Sequence, residues 1–213
     1  VETHNGDSFV NFKKTPNYIL GVFFLGEKMN KVSEFKYSKF LNWNEYIDSM
    51  SENKENFKKL TNKILKDKDL INKINKLNTK LNNKEIIVLT EDFCPDSLFN
   101  IPILILIAEN LDSVTLKIYR RSENEELNKI FIKNGLSKIP AIFVLDKNNI
   151  KYKWEEKPEK AYEIQSSIIN KLKQNPELDD NEKKNSYLKL SECEYEKNLW
   201  EETINEIYNL KEL

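Results

Sequence analysis

The chain is poor in the residues that build most metal, phosphate and disulfide sites. Its 213 residues include one histidine, two cysteines, four glycines and six prolines. A single histidine, His4, argues against a histidine-rich metal site and against a histidine-dependent catalytic triad. So few glycines do not form a glycine-rich phosphate loop. We therefore expect no metal and no bound cofactor.

A strong charge of one sign is also missing. The chain has 34 basic and 35 acidic residues, for a net charge of −1, so no basic field indicates nucleic acid. The apolar run from Tyr18 to Leu25 is shorter than the roughly 20 residues of a membrane helix, and it lacks the flanks of a signal peptide. Two distant cysteines do not make a secreted disulfide framework. We expect a cytoplasmic protein without a nucleic-acid or membrane partner.

Residues 1–28 have two interpretations. The first internal methionine, Met29, follows Gly26-Glu27-Lys28, whose codons can be purine-rich like a bacterial ribosome-binding site. On one hypothesis translation starts at Met29, and residues 1–28 result from reading the same frame upstream of the true start codon. On the other they are a genuine N-terminal strand or tail. An N-terminal peptide detected wholly before Met29 would exclude the first hypothesis.

Residues 29–83 are predicted to form two or three amphipathic helices beside the core. Apolar residues recur there at steps of three and four, with Lys, Asn and Glu between them. Asn42 or Asn44 is a candidate N-cap, and Asn82-Asn83 a candidate break. The apolar set comprises Phe40, Trp43, Tyr46, Ile47, Met50, Phe57, Leu60, Ile64 and Leu65.

Residues 84–175 alternate between strand and helix patterns. The predicted strands are 85–89, 114–119, 141–145 and 150–154, and the predicted helices are 95–110, 123–134 and 160–174. Gly135 is placed to end the second helix. This order favours a mixed sheet covered by helices.

Residues 176–213 are predicted to form a helical extension. A break at Asn175-Pro176 precedes one or two helices. Their expected buried stripe is Tyr187, Leu190, Tyr195, Leu199, Trp200, Ile204, Ile207 and Leu210.

Chemistry is concentrated where the first strand meets the first helix of the sheet region, in Phe93-Cys94-Pro95-Asp96-Ser97. A thiol at a helix start lies at the positive end of the helix dipole, which favours the nucleophilic thiolate. We therefore expect a lowered pKa for Cys94, helped by a hydrogen bond from Ser97 and opposed by the Asp96 carboxylate. The alternative is a small buried cysteine without reactivity.

Several residues together resemble the thioredoxin-like fold. Cys94 and Pro95 are similar to the attacking cysteine and the residue after it, and Pro102 to a proline inside the same helix. Pro140 resembles the family's cis-proline, with Ile139 offering its backbone to an extended substrate. Thr90 to Asp96, Asn100 to Leu104 and Arg120 to Asn124 look like a bacterial thioredoxin subfamily with flanking helices. The resemblance implies an α/β fold of this class with added terminal helices.

The sequence departs from that family at three positions. Ser97 replaces the second cysteine, Phe93 replaces a usual tryptophan, and Val88 stands where thioredoxin has a buried proton-relaying carboxylate. A mixed disulfide formed by Cys94 would then await an outside thiol such as glutathione.

The resemblance implies monothiol thiol–disulfide exchange with protein disulfides, using Cys94 and Ser97. Phe93, Pro95, Ile139 and Pro140 would then bind the substrate. The alternative is an inactive binding module that recognises a peptide or partner protein.

Two other features allow more than one role. Cys193 lies among Glu192, Glu194 and Glu196, and we interpret it as incidental rather than as a resolving thiol. Arg120-Arg121 suit an anionic thiol, although a solvated strand end is the preferred interpretation.

Overall fold

A computed structural model describes residues 40–213. The predictions for residues 1–28 therefore lie outside the described residues, as does the start of the N-terminal helical segment. Within residues 40–213, no helix combines the length and apolar character that crossing a membrane requires.

Short helices precede the sheet. Asn42 caps the first of them, as predicted, because its side chain accepts the Glu45 N–H while the Glu45 carboxylate accepts the Asn42 N–H. The last one ends before Asn83, which has a left-handed backbone (φ 55°). These helices are α1 (Trp43–Asp48), α2 (Lys54–Ile64), α3 (Lys68–Ile74) and α4 (Asn78–Leu81), with a 3-10 turn at Asn75–Leu77.

Four strands form one mixed sheet in the order β2-β1-β3-β4. β1 pairs parallel with β2 and antiparallel with β3, and β3 pairs antiparallel with β4. The predicted mixed sheet is thus confirmed. The strands are β1 (Glu85–Thr90), β2 (Thr115–Arg120), β3 (Ala141–Asp146) and β4 (Asn149–Glu155).

The remaining helices follow the predicted order. Gly135, at φ 83°, adopts the left-handed conformation that suits glycine just beyond a helix end. The helices are α5 (Pro95–Asn110), α6 (Glu125–Lys133), α7 (Glu159–Lys173), α8 (Asp180–Glu194) and α9 (Trp200–Asn209), with a 3-10 turn at Arg121–Glu123 and a π-helical turn at Tyr195–Leu199.

Successive side chains along each strand point alternately into two cores, one on each face of the sheet. Val88 on β1 lies opposite Ile118 and Ile142, and all three side chains belong to the larger core under α5. The next residue, Leu89, belongs to the smaller core, which is covered by α6 through Phe131. Helices thus cover both faces, and α5, whose N-cap is Cys94, is packed between the sheet and the terminal helices.

The C-terminal stripe is confirmed at most positions, but the prediction for Leu190 is wrong. Tyr195, Leu199, Trp200, Ile204 and Ile207 are buried. Leu190 is 43% exposed, and the buried position one residue later is Ser191.

Candidate functional site

Cys94 occupies the N-cap of α5. Its backbone is extended (φ −80°, ψ 120°), and its carbonyl oxygen accepts the Leu98 N–H at 3.0 Å, which begins the helix. Pro95 follows as the first helical residue, where its missing N–H costs nothing. The sulfur is therefore held at the end of the helix, and Cys94 is half-buried.

The fold brings Cys94 to the loop before β3. Its Sγ lies 3.5 Å from the carbonyl oxygen of Ile139, close enough for the S–H to donate a hydrogen bond. The Ile139–Pro140 peptide bond is cis, and both residues are buried. Phe93, one residue before Cys94, is 48% exposed. The fold thus brings Cys94 together with Ile139 of the candidate substrate-binding pair.

Ser97 lies beneath the cysteine and is fully buried. The Thr90 hydroxyl donates to Ser97 Oγ at 2.8 Å, which leaves the Ser97 proton free for another acceptor. Ser97 also acts on the Cys94 thiol, because its hydroxyl and its N–H both favour the thiolate and so lower the pKa of Cys94.

The expected lowered pKa of Cys94 is wrong. Burial raises the pKa of the Cys94 thiol above its ordinary value, and the hydrogen bonds from Ser97 offset this only in part. The Asp96 carboxylate adds to the rise. Tyr187 on α8 lies close enough that the charges of Asp96 and Cys94 help to raise its own pKa, after the larger effect of its burial.

Asp96 is held inside the protein rather than at the surface. Its carboxylate lies 3.4 and 3.5 Å from Lys157 Nζ, and Gln165 Nε2 donates to it at 3.3 Å. Burial raises the pKa of Asp96, although Lys157 opposes the rise. Sequence reasoning missed Lys157 and Gln165, because nothing in the motif shows that the loop after β4 and the middle of α7 lie beside Asp96.

Asn100, one turn further along α5, ties the site to the C-terminal helices. Its Nδ2 donates to the carbonyl oxygens of Asp96 (2.9 Å) and Glu156 (3.2 Å) and to the Tyr195 hydroxyl (2.9 Å). The Thr203 hydroxyl donates to its Oδ1 at 2.8 Å. The site and the C-terminal extension therefore share one buried network.

Arg120 does not form a solvated strand end, so that preferred interpretation is wrong. Only 8% exposed, it lies 3.3 Å from Asp92 and 3.6 Å from Glu91 through its guanidinium nitrogens. The Ser49 carbonyl oxygen accepts another of its N–H groups at 2.9 Å. Arg120 therefore joins α1 to the segment between β1 and Cys94, and its charge is already neutralised.

Cys193 and Val88 contribute no second reactive group beside Cys94. Cys193 is exposed on α8, two positions from the buried Ser191 and hence on the opposite side of that helix. Val88 is fully buried in the larger core, where it offers neither a charge nor a proton. In the part of the chain that the structure describes, no group of three or more His, Cys, Asp or Glu residues is placed to hold a metal ion.

Comparison with known proteins identifies the family. A family model described as thioredoxin matches residues 40–184, more than half of the chain. The chain therefore belongs to the thioredoxin family, and its mixed sheet with helices on both faces is a thioredoxin-like fold with extra terminal helices. A search of curated proteins found no match.

Two solved structures resemble the chain. One is a protein of unknown function from Pseudomonas aeruginosa, with a TM-score of 0.51 and 15% identity over 73% of this chain and 93% of that one. The other is an HIV epitope scaffold, with a TM-score of 0.51 and 14% identity over 79% of this chain and 90% of that one. At such low identity, these likenesses concern the fold alone.

Proposed function

We propose that the protein carries out thiol–disulfide exchange of the monothiol type, with Cys94 as the nucleophile. The observation that supports this most is the position of its sulfur, at the start of α5 and 3.5 Å from the carbonyl oxygen of Ile139. An extended substrate chain at the Ile139–Pro140 edge would present its disulfide to that sulfur. Phe93 and Pro95, which precede and follow Cys94 in the chain, complete the proposed substrate-binding surface. The proposed substrate is a protein disulfide.

The exchange has two balanced steps. The Cys94 thiolate attacks one sulfur of the substrate, its S–S bond breaks, and the other sulfur leaves as a thiolate that takes up a proton. Cys94 is oxidised to a mixed disulfide while the leaving half is reduced to a thiol. An outside small thiol of the glutathione class then attacks the mixed disulfide and releases Cys94. Ser97 cannot perform that second attack, because a hydroxyl does not replace the thiol.

The raised pKa of Cys94 gives this chemistry a particular character. Less thiolate is present at neutral pH, but a thiolate of high pKa is intrinsically more nucleophilic. The same thiol is a poor leaving group, so the second step is slow. We therefore propose a protein that holds its partner in a long-lived mixed disulfide. Free thiols at both Cys94 and Cys193 suit a reducing compartment such as the cytoplasm.

The test is reduction of hydroxyethyl disulfide in the presence of glutathione. The Cys193→Ser variant is the matched control, since it removes the exposed thiol and leaves Cys94. We expect turnover in the wild-type protein and in Cys193→Ser, and none in Cys94→Ser. No turnover in the wild-type protein, or equal turnover in Cys94→Ser, would contradict the proposal.

Restoring the second sulfur is a sharper companion test. The hydroxyl of Ser97 lowers the pKa of the Cys94 thiol, so Ser97→Cys places a second thiol at a position that already interacts with Cys94. We expect this variant to gain dithiothreitol-driven reduction of insulin that the wild-type protein lacks. Ser97→Ala, which adds no thiol, is the control. No gain in Ser97→Cys would show that the missing sulfur is not what limits the site.

A binding module without turnover is the second candidate function. The exposed ring of Phe93, next to Cys94 in the chain, favours it, because that ring is available to a peptide or partner protein. The two candidate functions differ in what they predict for Cys94→Ser. In a binding module, partner binding would survive Cys94→Ser and fall in Phe93→Ala. Covalent exchange would instead be lost in Cys94→Ser, and its complexes would be separated by dithiothreitol.

A further inference from the structure

The loop between α6 and β3 carries Ile139, whose carbonyl oxygen lies 3.5 Å from the Cys94 sulfur. This loop, residues 134–140, is neither helix nor strand. Without a ladder of hydrogen bonds of its own, its backbone is held in place by the groups that bond to it. Those groups therefore determine where Ile139 lies relative to Cys94.

The carboxylate of Glu155, the last residue of β4, binds the middle of the loop. Its Oε2 atom accepts the Ser137 N–H at 2.8 Å and the Lys138 N–H at 2.9 Å. Hydrogen bonds to a charged acceptor are stronger than those between neutral groups. Ser137 and Lys138 come directly before Ile139, so this carboxylate fixes the backbone on that side of it.

The next residue, Glu156, fixes the loop on the other side of Ile139. Its N–H donates to the Pro140 carbonyl oxygen at 2.6 Å, and its carboxylate pairs with the side chain of Lys138. The backbone of Glu156 is left-handed (φ 66°), a conformation that residues other than glycine rarely adopt. Ile139 is thus held between contacts from two consecutive residues, Glu155 and Glu156.

Lys153 fixes the start of the same loop. Side chains two residues apart on a strand lie on the same face, so Lys153 and Glu155 point the same way from β4. Lys153 Nζ donates to the Asn134 carbonyl oxygen at 2.6 Å. Because Glu155 is half-buried and its partners Ser137 and Lys138 are exposed, these contacts lie outside the two cores. Their loss should loosen the loop and leave the fold intact.

We propose that Glu155 is a positioning residue that fixes Ile139 for an extended substrate chain next to Cys94. This rests on the exchange reaction proposed above. Glu155 acts through the loop rather than on the reacting sulfurs, by holding the Ile139 backbone where a chain that carries the disulfide pairs with it. A small disulfide without a chain makes no use of this edge. Glu155 therefore favours peptide and protein disulfides over small ones.

The test uses two probes with the same leaving group. One is an extended peptide whose single cysteine is joined to thionitrobenzoate in a mixed disulfide, and the other is mercaptoethanol joined to the same group. In both, the Cys94 thiolate attacks the aliphatic sulfur, the S–S bond breaks, and the coloured thionitrobenzoate leaves with the electron pair. The probes therefore differ only in the peptide chain.

Glu155→Ala and Glu155→Gln are compared with the parent protein in the Cys193→Ser background. Glu163→Ala, an exposed change on α7, controls for the loss of one negative charge. We expect Glu155→Ala to lower the rate constant for the peptide probe about tenfold and that for the mercaptoethanol probe less than about twofold, since only the chain is misplaced. Glu155→Gln should stay near the parent, because its amide oxygen can accept both N–H groups.

The outcomes separate this role from the proposed function. An unchanged rate for the peptide probe in Glu155→Ala, equal losses for the two probes, or a Glu155→Gln variant as slow as Glu155→Ala would each overturn the positioning role. A parent protein without glutathione-dependent turnover of hydroxyethyl disulfide would instead overturn the proposed function.

Glu155→Asp provides a second test if Glu155→Ala does not fold. Aspartate keeps the charge but is one methylene shorter, so its carboxylate is withdrawn from the N–H groups of Ser137 and Lys138. We expect a loss confined to the peptide probe, as in Glu155→Ala. A Glu155→Asp variant that reacts with the peptide probe as fast as the parent would contradict the proposal.

Discussion

Replacing Asn100 with alanine removes the side chain through which α5 is bonded to the loop after β4 and to the C-terminal helices. Asn100 is fully buried, and each polar atom of its side chain has a partner. In the Asn100→Ala variant those partners stay buried because the surrounding helices still pack. The free energy of unfolding should therefore fall by more than the value of the bonds alone.

The size of the loss follows from the three tertiary partners. The Glu156 carbonyl oxygen and the Tyr195 hydroxyl lose a donor, and an unsatisfied buried group costs about 1–3 kcal/mol. Thr203 loses less, because its hydroxyl also donates to the Leu199 carbonyl oxygen at 3.0 Å. We expect a total loss of about 3–5 kcal/mol, which for a chain of this size lowers Tm on the order of 10 °C.

Asn110 offers a matched control in the same helix. Its Nδ2 also donates to a carbonyl oxygen four residues earlier, that of Leu106 at 2.9 Å, but it lacks the tertiary bonds described for Asn100. Chemical denaturation of Asn110→Ala should therefore show a loss of no more than about 1 kcal/mol. If Asn100→Ala loses no more stability than Asn110→Ala, the network does not hold the C-terminal helices to α5.

Three further outcomes are expected. Alkylation of Cys94 should be slower at pH 7 than that of a free thiol and should rise about tenfold per pH unit up to its raised pKa, since only the thiolate reacts; a plateau below pH 7 would contradict this. Arg120→Met should lower the free energy of unfolding by about 3–5 kcal/mol, because it leaves buried carboxylates unpaired; a loss under about 1 kcal/mol in urea denaturation would contradict it. Burial would raise the pKa of Asp92, but hydrogen bonds from Ser51 and Arg120 lower it, so its contribution is present above its unfolded pKa and is lost as pH falls through the folded value; acid titration of Asp92→Asn should lack that loss.

The sheet region was predictable because local sequence and fold agree there. The β-branched run at Ile86-Ile87-Val88 forms a buried strand, and Gly135 ends α6 through its left-handed backbone. The order of elements then limits the topology to a few choices. The position of Cys94 at the helix start could be predicted for the same reason.

The pKa of Cys94 could not be predicted, because it depends on burial by distant parts of the chain. The helix start and Ser97 favour the thiolate, as the sequence indicates, but Tyr187 on α8 helps to enclose the site and Asp96 is drawn inward by Lys157. Leu190 was misplaced for a similar reason. Ser191, four residues after Tyr187, is buried in place of Leu190. The mostly polar sequence of α8 does not indicate which face of the helix is buried.

Ser97 changes how such a site would sense its surroundings. A site with two thiols closes an internal disulfide and releases two molecules of the small thiol, so its oxidation depends on the square of that thiol's concentration. With Ser97 in place, Cys94 reacts with one small disulfide to give one mixed disulfide and one small thiol. One small molecule is therefore consumed and one is released. Under the proposed exchange, the fraction of the protein in the mixed disulfide would depend on the ratio of small disulfide to small thiol. It would not depend on their total concentration.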